Sequence, residues 1–472
     1  MVAHTGPAPD VALGKPSEWS GAARVADRLL INRNFALLWG GQAISTIGDT
    51  VLDTALVLWI GAYVARGQSW GPLAISVVLL AAAIPRIAVG PLAAVFADRW
   101  DKRLTMLWMD ALSAVLVAFL VLATDTRYLP FLGNGRIPLS AQLGAAGGAV
   151  ILVTICTQFY QPARFAMITY IVDDDQRTQA ISMSQALQGF AVILGPPIAA
   201  VLVFGLGVQW ALLVDALSFV ASYLAVLAMR VPRTAGAPTP GEGEMARFRG
   251  EFVAGLRYVW DHQVPRTILI SVVLTWLGFG ALQVLGYFFV TQNLRASPEL
   301  YGFLGSAFGL GAAAGAVGVT VFGKRLGLVR VVWVALVLSG AFIVVLAHLT
   351  LIGPVLAAAF VFGVSSTAII VAEGPLVLHF TPKRYVGRVS GVITSLGQLA
   401  ALISVVIAGW LVSTVVSSLH ASVFGITFGP VDTVLTGVGV LAIAGGLYAR
   451  INLRGVGVSG PAVSAEDEAQ RG

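Results

Sequence analysis

Charge is scarce in this sequence. Asp, Glu, Lys and Arg make up 11% of its 472 residues, against about 25% in a soluble domain. That shortage, with 57% hydrophobic residues and a mean hydropathy of +0.86, excludes an ordinary soluble fold. Cysteine is nearly absent. The one copy, Cys156, sits in an apolar run, so there is no disulfide framework and no cysteine-based metal site. Histidine is sparse too: His4, His262, His348, His379 and His420 are scattered, without an H-E-x-x-H pair. No G-x-x-x-x-G-K-[ST] run occurs, so the chain has no phosphate-cradling loop with which to hydrolyse ATP. The first thirty residues lack the basic-then-apolar order of a cleaved signal peptide. They read as a polar tail leading into an interfacial segment from Val25 to Asn34.

What the sequence has in quantity is long apolar runs. A hydrocarbon core takes about 20 apolar residues per helix, and twelve segments qualify. They lie near 35–64, 72–97, 104–124, 143–163, 179–204, 208–229, 267–291, 300–322, 329–350, 353–379, 386–412 and 430–450. The expected class is an all-α polytopic membrane protein, with the bilayer as an obligate partner. Lysine and arginine set its orientation, because basic loops resist translocation. Of 29 such residues, only Arg66, Arg127, Arg136 and Arg295 fall on the side opposite the chain ends, and Arg86 lies within a span. Both termini are therefore expected in the cytoplasm, with the chain in the cell membrane. The net charge of +6 follows from this topology, and no nucleic acid partner is expected.

Pro232 to Glu244 (PRTAGAPTPGEGE) is a Pro/Gly linker after the sixth span. It separates an N-terminal bundle, 34–230, from a C-terminal bundle, 266–451. Residues 1–33 and 452–472 are tails, and 231–265 forms the linker region. Within that region Arg247 to Pro265 reads as an amphipathic helix on the inner membrane face. Phe248, Phe252, Leu256 and Val259 are apolar at helical spacing, and Arg249, Glu251 and Arg257 are polar.

The most distinctive stretch is IPRIAVGPLAAVFADRWDKRLTM, Ile84 to Met106. Two apolar runs flank a short charged turn, which makes an antiparallel hairpin of spans. Gly90, the small residues Ala93, Ala94 and Ala97, and the pair Asp98-Arg99 followed by Lys102 and Arg103 resemble the loop 2–3 signature of the major facilitator superfamily. The Asp-Arg-x-Asp-Lys/Arg-Arg form resembles its drug-exporter branch, which includes macrolide efflux proteins and the enterobactin exporter. Three further stretches resemble that group: Gln161-Pro162-Ala163-Arg164 before the fifth span, Gly387-Arg388-Val389-Ser390, and EFVAGLRYVWDHQVPR. Gly195-Pro196-Pro197 is similar to the Gly-Pro element of exporters, though Ala199 and Ala200 stand where a further Gly is expected. The resemblance implies two pseudo-symmetric six-helix bundles around a central cavity. It implies that Asp98 lies against the start of the eleventh span, where the helix dipole favours an anion. Arg99 and Arg103 would bond across the cytoplasmic face. Gly90, Asp98, Arg99, Lys102, Arg103, Arg164 and Arg388 together would form a cytoplasmic gate.

Charges inside spans are expensive in hydrocarbon and usually face a cavity or a partner. The candidates are Asp49, Asp53, Arg86, Asp110, Asp215 and Glu373, with Asp432 near a span end. Asp49 and Asp53, four residues apart, share a helical face, where like charges disfavour double ionisation. They can couple to protons, contact substrate, or pair with Arg86 to lock two helices. Arg86 follows Pro85 in mid-span and calls for Asp49, Asp53 or Asp110 as its partner. Asp110 and Asp215 fall on spans that the resemblance makes peripheral, which favours packing. Glu373 precedes Gly374-Pro375 and is a candidate coupling carboxylate. Gln42, Trp59, Gln158, Tyr160, Gln188, Gln283, Tyr287 and Gln398 are candidate cavity residues for an amphipathic molecule.

The expected activity is secondary active export of a small organic molecule, such as an antibiotic or siderophore, driven by proton entry. A facilitator or proton symporter that imports a small solute uses the same carboxylates and is the alternative. A transport-inactive sensor or an intramembrane enzyme is a third reading, but no clustered nucleophile, base or metal set marks an enzyme, and the polar Arg454–Gly472 tail is short for a sensor domain. No cofactor or metal is expected, and the monomer is the expected unit.

Overall fold

The structure is a computed structural model that describes residues 31–90, 93, 100–124, 138–231, 244–419, 421–423 and 426–454. Twelve of its helices are long and apolar enough to cross a membrane. Helices α1 to α6 are Arg33–Trp59, Gly71–Ala88, Lys102–Thr124, Leu139–Ile171, Arg177–Gly205 and Val208–Ala228. A linker helix α7, Glu244–Asp261, follows. Helices α8 to α12 are Gln263–Phe288, Leu300–Leu326, Leu328–His348, Ile352–Phe380 and Lys383–Trp410. A small antiparallel hairpin, β1 Ala421–Val423 and β2 Ile426–Phe428, precedes α13, Pro430–Asn452.

Local sequence fixes the helix ends. Asn32 caps α1 by accepting a hydrogen bond from the Phe35 amide at 2.8 Å. The one-residue turn between α9 and α10 is Gly327 at φ +79°, a conformation that costs a side-chain-bearing residue about 1 kcal/mol or more. Three helices finish in a π turn on the same face of the protein: α1 in Ile60–Val64, α8 in Phe289–Asn293 and α12 in Leu411–Val415. An even number of spans puts both ends of the helical region on the opposite face, called here the terminal face. The π-turn side is the far face.

The fourth span is longer than its apolar run implies. Helix α4 continues through Pro162 to Ile171, so Pro162-Ala163-Arg164 lies inside a helix rather than in a loop. Pro85, Pro196, Pro197 and Pro375 are likewise inside helices. Membrane helices tolerate proline where neighbours satisfy the freed carbonyls.

Packing divides the chain in two. Helix α1 packs on α5 and α6, and α3 on α4 and α6. In the second half α9 packs on α11, α10 on α13 and α8 on α12. Between the halves the principal pairs are α5 with α9 and α2 with α12. The buried core shows how the halves meet. At the far face one cluster runs across both, from Val51–Ala65 of the α1 arm to Ala281–Val290 of the α8 arm and Val405–Val412 of the α12 arm. At the terminal face the core splits. Phe35, Leu38, Met106 and Met167 form one cluster, and Val259, Ile268, Leu376 and Val389 another. The molecule is closed at the far face and parted at the terminal face.

The linker helix is amphipathic as its sequence implies. Phe252, Leu256 and Val259 pack into the core of the second half, and Gly255 lies against the Arg388 backbone of α12. Arg388 approaches Glu251 at 3.7 Å. Tyr258 stacks on Tyr385 with ring centroids 4.8 Å apart. Helix α7 is thus fastened to α12. Trp260 and Val253 stay exposed on its other side.

Candidate functional site

Two helices dictate where a molecule can sit between the halves. On α9, Gly302, Gly305 and Gly309 present no side chain, so Pro196 and Ile193 of α5 approach their backbones directly. The Ser306 hydroxyl donates to the Ile193 carbonyl at 2.7 Å. On the other flank Gly409 of α12 meets Ser76 of α2, and the Ser76 hydroxyl donates to the Val405 carbonyl at 2.7 Å. The Leu73 amide donates to Ser413 at 3.2 Å. A third seam closes the centre, where the Tyr287 ring of α8 lies flat on Gly61 of α1. Tyr287 is therefore a seal residue. It borders an outer vestibule of about 460 Å³ with Tyr63, Arg66, Phe204 and Gln292.

Behind these seams lies a central cavity of about 230 Å³, lined from both halves. Thr50, Asp53 and Thr54 come from α1, Val192 and Pro196 from α5, and Phe279, Leu282 and Gln283 from α8. Tyr301, Leu304, Gly305 and Phe308 come from α9, Leu346 from α10, and Ala359 and Phe362 from α11. Its wall is aromatic: Phe279 and Phe308 have centroids 5.7 Å apart, and Phe308 and Phe362 5.6 Å. Asp53 is the one ionisable carboxylate in that lining. A mostly apolar wall with few polar groups suits an amphipathic organic molecule.

A second, smaller space lies wholly within the first half, among α1, α3, α4 and α6. Its lining includes Gln42, Asp49, Asp110, Ser113, Cys156 and Tyr160. Asp110 accepts a hydrogen bond from the Ser222 hydroxyl at 2.8 Å, and Ser222 lies 3.2 Å from the Tyr160 hydroxyl. Asp215, fully buried on α6, accepts from Ser218 at 3.3 Å and lies behind Gly48 of α1.

The family scan decides the identity of this arrangement. Residues 29–377 match the model described as transmembrane secretion effector, a branch of the major facilitators. The chain belongs to the major facilitator superfamily. This transporter is 24% identical to macrolide efflux protein A of Streptococcus pyogenes, over 42% of this chain and 45% of that one. It is 26% identical to the multidrug efflux pump Tap of Mycolicibacterium fortuitum, over 74% of this chain and 82% of that protein. Its fold matches a bacterial homologue of the human lysosomal transporter Spinster, solved inward-facing and unoccupied. That match has a TM-score of 0.59 at 13% identity and covers 89% of this chain and 95% of that one. These relatives are transporters and not enzymes.

The transporter sorts the sequence-derived candidates unevenly. Asp49 and Asp53 share a helical face by spacing but not a compartment: Asp49 borders the small crevice and Asp53 the central cavity. A separation of four residues advances about 6 Å along a helix, enough to place the two carboxylates in the linings of different spaces. Arg86 is exposed at the end of α2 and, among the described residues, forms no ion pair with Asp49, Asp53 or Asp110. The expected helix lock is not made. Asp110 lines the crevice and Asp215 is packed beside α1. Glu373 is half-buried on α11, and the helix continues unbroken past Gly374 and Pro375.

Of the expected cavity residues, Gln283 lines the central cavity. Gln42 and Tyr160 line the crevice instead. Trp59 is 5% exposed in the shared core and lines neither space. Gln158 faces Gly90 across α2 and α4. Gln188 is exposed one turn from Val192, and Gln398 is exposed on α12. The aromatic wall of Phe279, Tyr301, Phe308 and Phe362 was not singled out by sequence. The glycine spacing of α9 was its available signal, because a helix face with no side chains marks a contact and turns the neighbouring face to the cavity.

The gate motif is partly outside the described residues, namely at Asp98 and Arg99. Lys102 is buried. Arg103 does not reach across the halves. Its Nε donates to the Val226 carbonyl at 3.2 Å and its Nη2 to the Leu227 carbonyl at 2.7 Å. It caps the last turn of α6, where the dipole favours a cation. Arg164 is buried within α4, with its guanidinium 4.7 Å from the Phe165 centroid. Arg388 fastens α7 to α12, as described above. Arg103→Ala is therefore expected to destabilise the first half by about 1 kcal/mol, with Arg103→Lys recovering part. Thermal unfolding of the purified transporter checks this, and an unchanged midpoint would remove the capping role.

Proposed function

We propose that the transporter exports amphipathic, preferentially cationic organic molecules from the cytoplasm across the cell membrane, in exchange for protons. The observation that carries this reading is the central cavity: an aromatic wall with Asp53 as the one carboxylate of its lining, between two halves whose buried cores are separate toward the terminal face. An organic cation is attracted both by that carboxylate and by the faces of the aromatic rings. The bias of lysine and arginine toward the terminal face supports a cytoplasmic placement of both ends. The cavity then faces the cytoplasm, where a molecule to be expelled is collected. The efflux-pump relatives support the same direction of transport. In the cycle, the outward-open form releases its cargo and takes up a proton on an intramembrane carboxylate. The halves rock about the cavity, the proton leaves inside, and new cargo binds.

The test is proton release from everted vesicles containing the transporter when erythromycin, ethidium or enterobactin is added. Export by exchange requires alkalinisation of the vesicle interior that depends on one of these compounds. Uptake that ignores an imposed pH gradient would move facilitated diffusion to first place. Accumulation in right-side-out vesicles in step with proton entry would instead favour a symporter.

A further inference from the structure

The crevice inside the first half has features that packing does not explain. It has room for about 20 Å³, the space of one water. Asp49 and Asp110 both border it, on α1 and α3, and no lysine or arginine lines it. Asp110 is 3% exposed and hydrogen-bonded through Ser222 to Tyr160. With the Ser222 proton committed to Asp110 Oδ2, the Ser222 oxygen is left to accept from the Tyr160 hydroxyl. Gln42 provides an independent sign. It is 5% exposed and borders the same crevice, yet its Nε2 finds no hydrogen-bond partner among the described residues. A buried amide without a protein partner calls for one, and the crevice that Gln42 borders has room for it.

We propose that this crevice, and not the substrate cavity, is the proton station of the transporter, with Asp110 as its acceptor and Asp49 as its link to the cavity. The inference rests on the exchange reading given above. A proton on Asp49 passes through a single water to Asp110: the O–H bond to Asp49 breaks, a new one forms on Asp110, and Asp49 is left ionised. Ser222 and Tyr160 keep Asp110 oriented, and Gln42 donates to the carboxylate that has lost its proton. Substrate and proton never compete for one group. They communicate through α1, because Asp53 lies one helical turn from Asp49, where two carboxylates repel each other. On release the transfer runs in reverse, from Asp110 through the water to Asp49 and out to the water between the halves. An organic cation that neutralises Asp53 removes that repulsion and favours this last step. The surrounding ionisable groups are Asp53 on α1, Arg86 on α2, Cys156, Tyr160 and Arg164 on α4, and Asp215 on α6.

Infrared difference spectroscopy of the full-length transporter in proteoliposomes, recorded across a pH jump without any substrate, tests this directly. The carbonyl stretch of a protonated carboxyl is expected in the wild type and in Asp53→Asn, and is lost in Asp110→Asn. Ser222→Ala, which keeps both carboxylates, is expected to shift that band without removing it. This second variant decides the matter if Asp110→Asn fails to fold. A band that survives Asp110→Asn, or one that Ser222→Ala leaves in place, overturns the proposal. Displacement of the band by sodium at fixed pH also overturns it, making the crevice a cation site. In the exchange assay Asp110→Asn is expected to lower ethidium-driven proton release at least tenfold, while ethidium affinity stays within about threefold. If the wild type shows the Asp110 band but no ethidium-driven proton release, the exchange reading fails and the station stands.

Discussion

Gly302→Val is expected to hold the transporter open at its far face. A Cβ at this position would lie 2.5 Å from the Pro196 carbonyl oxygen and 2.9 Å from the Ala200 Cβ. Neither neighbour can yield easily. Pro196 and Pro197 fix two successive φ angles in α5, and the obstructing atoms are backbone and a Cβ rather than the tip of a flexible side chain. Overpacking of this kind costs about 1–3 kcal/mol, and it acts only in the state in which α5 and α9 are in contact. The far-closed state should lose weight against the open one by roughly five- to 150-fold, and transport with it. Two reporters read this out in a Cys156→Ser background: Gln188→Cys in the terminal opening and Thr291→Cys in the outer vestibule. Maleimide labelling should shift from the first to the second when Gly302→Val is added. An unchanged labelling ratio would show that the α5–α9 seam is not a gate.

The second large effect concerns charge. Asp53→Asn keeps the size and hydrogen-bonding reach of the side chain and removes its charge. A hydrogen-bonded charge contact is worth about 2 kcal/mol, or roughly thirtyfold in affinity. Binding of the cation ethidium should weaken by about that factor, while the neutral dye Nile red should bind almost as before. Fluorescence titration of the purified transporter gives both constants. An equal loss for both dyes would mean that Asp53 shapes the cavity rather than selecting charge. Phe308→Ala should affect both dyes together, since it removes aromatic wall common to them.

Much of the fold was legible from the sequence because a bilayer imposes a coarse and strict rule. About 20 apolar residues must recur for each crossing, and all twelve crossings are found. The linker helix was legible for a related reason, since its apolar residues recur at helical spacing. Spans were misjudged where composition and helix part company. Helix α4 runs past its apolar stretch and carries Pro162 and the buried Arg164 within it. The site was less legible. Spacing placed Asp49 and Asp53 on one face, but only packing decides which compartment each meets. Arg86 was expected to pair with a carboxylate; at the end of α2 it is exposed and, among the described residues, forms no ion pair, while lying near enough for its charge to act on Asp49 and Asp53. The aromatic wall was hidden for a different reason. A phenylalanine facing the cavity and one facing lipid have the same sequence signature, and only the approach of α9 to α5 separates them.

The seams at the far face are built from glycine, proline, serine hydroxyls and backbone carbonyls. Among the described residues, the hydrogen bonds that cross between the halves there are neutral. Dissolved ions screen exposed charges that lie more than about 10 Å apart at 0.1 M salt, but they have little purchase on contacts of this kind. In the proposed orientation, these neutral seams lie on the side turned to the environment. Its closure should be the same in fresh water and in brine, so a cell could meet wide swings in salinity without leakage through this protein.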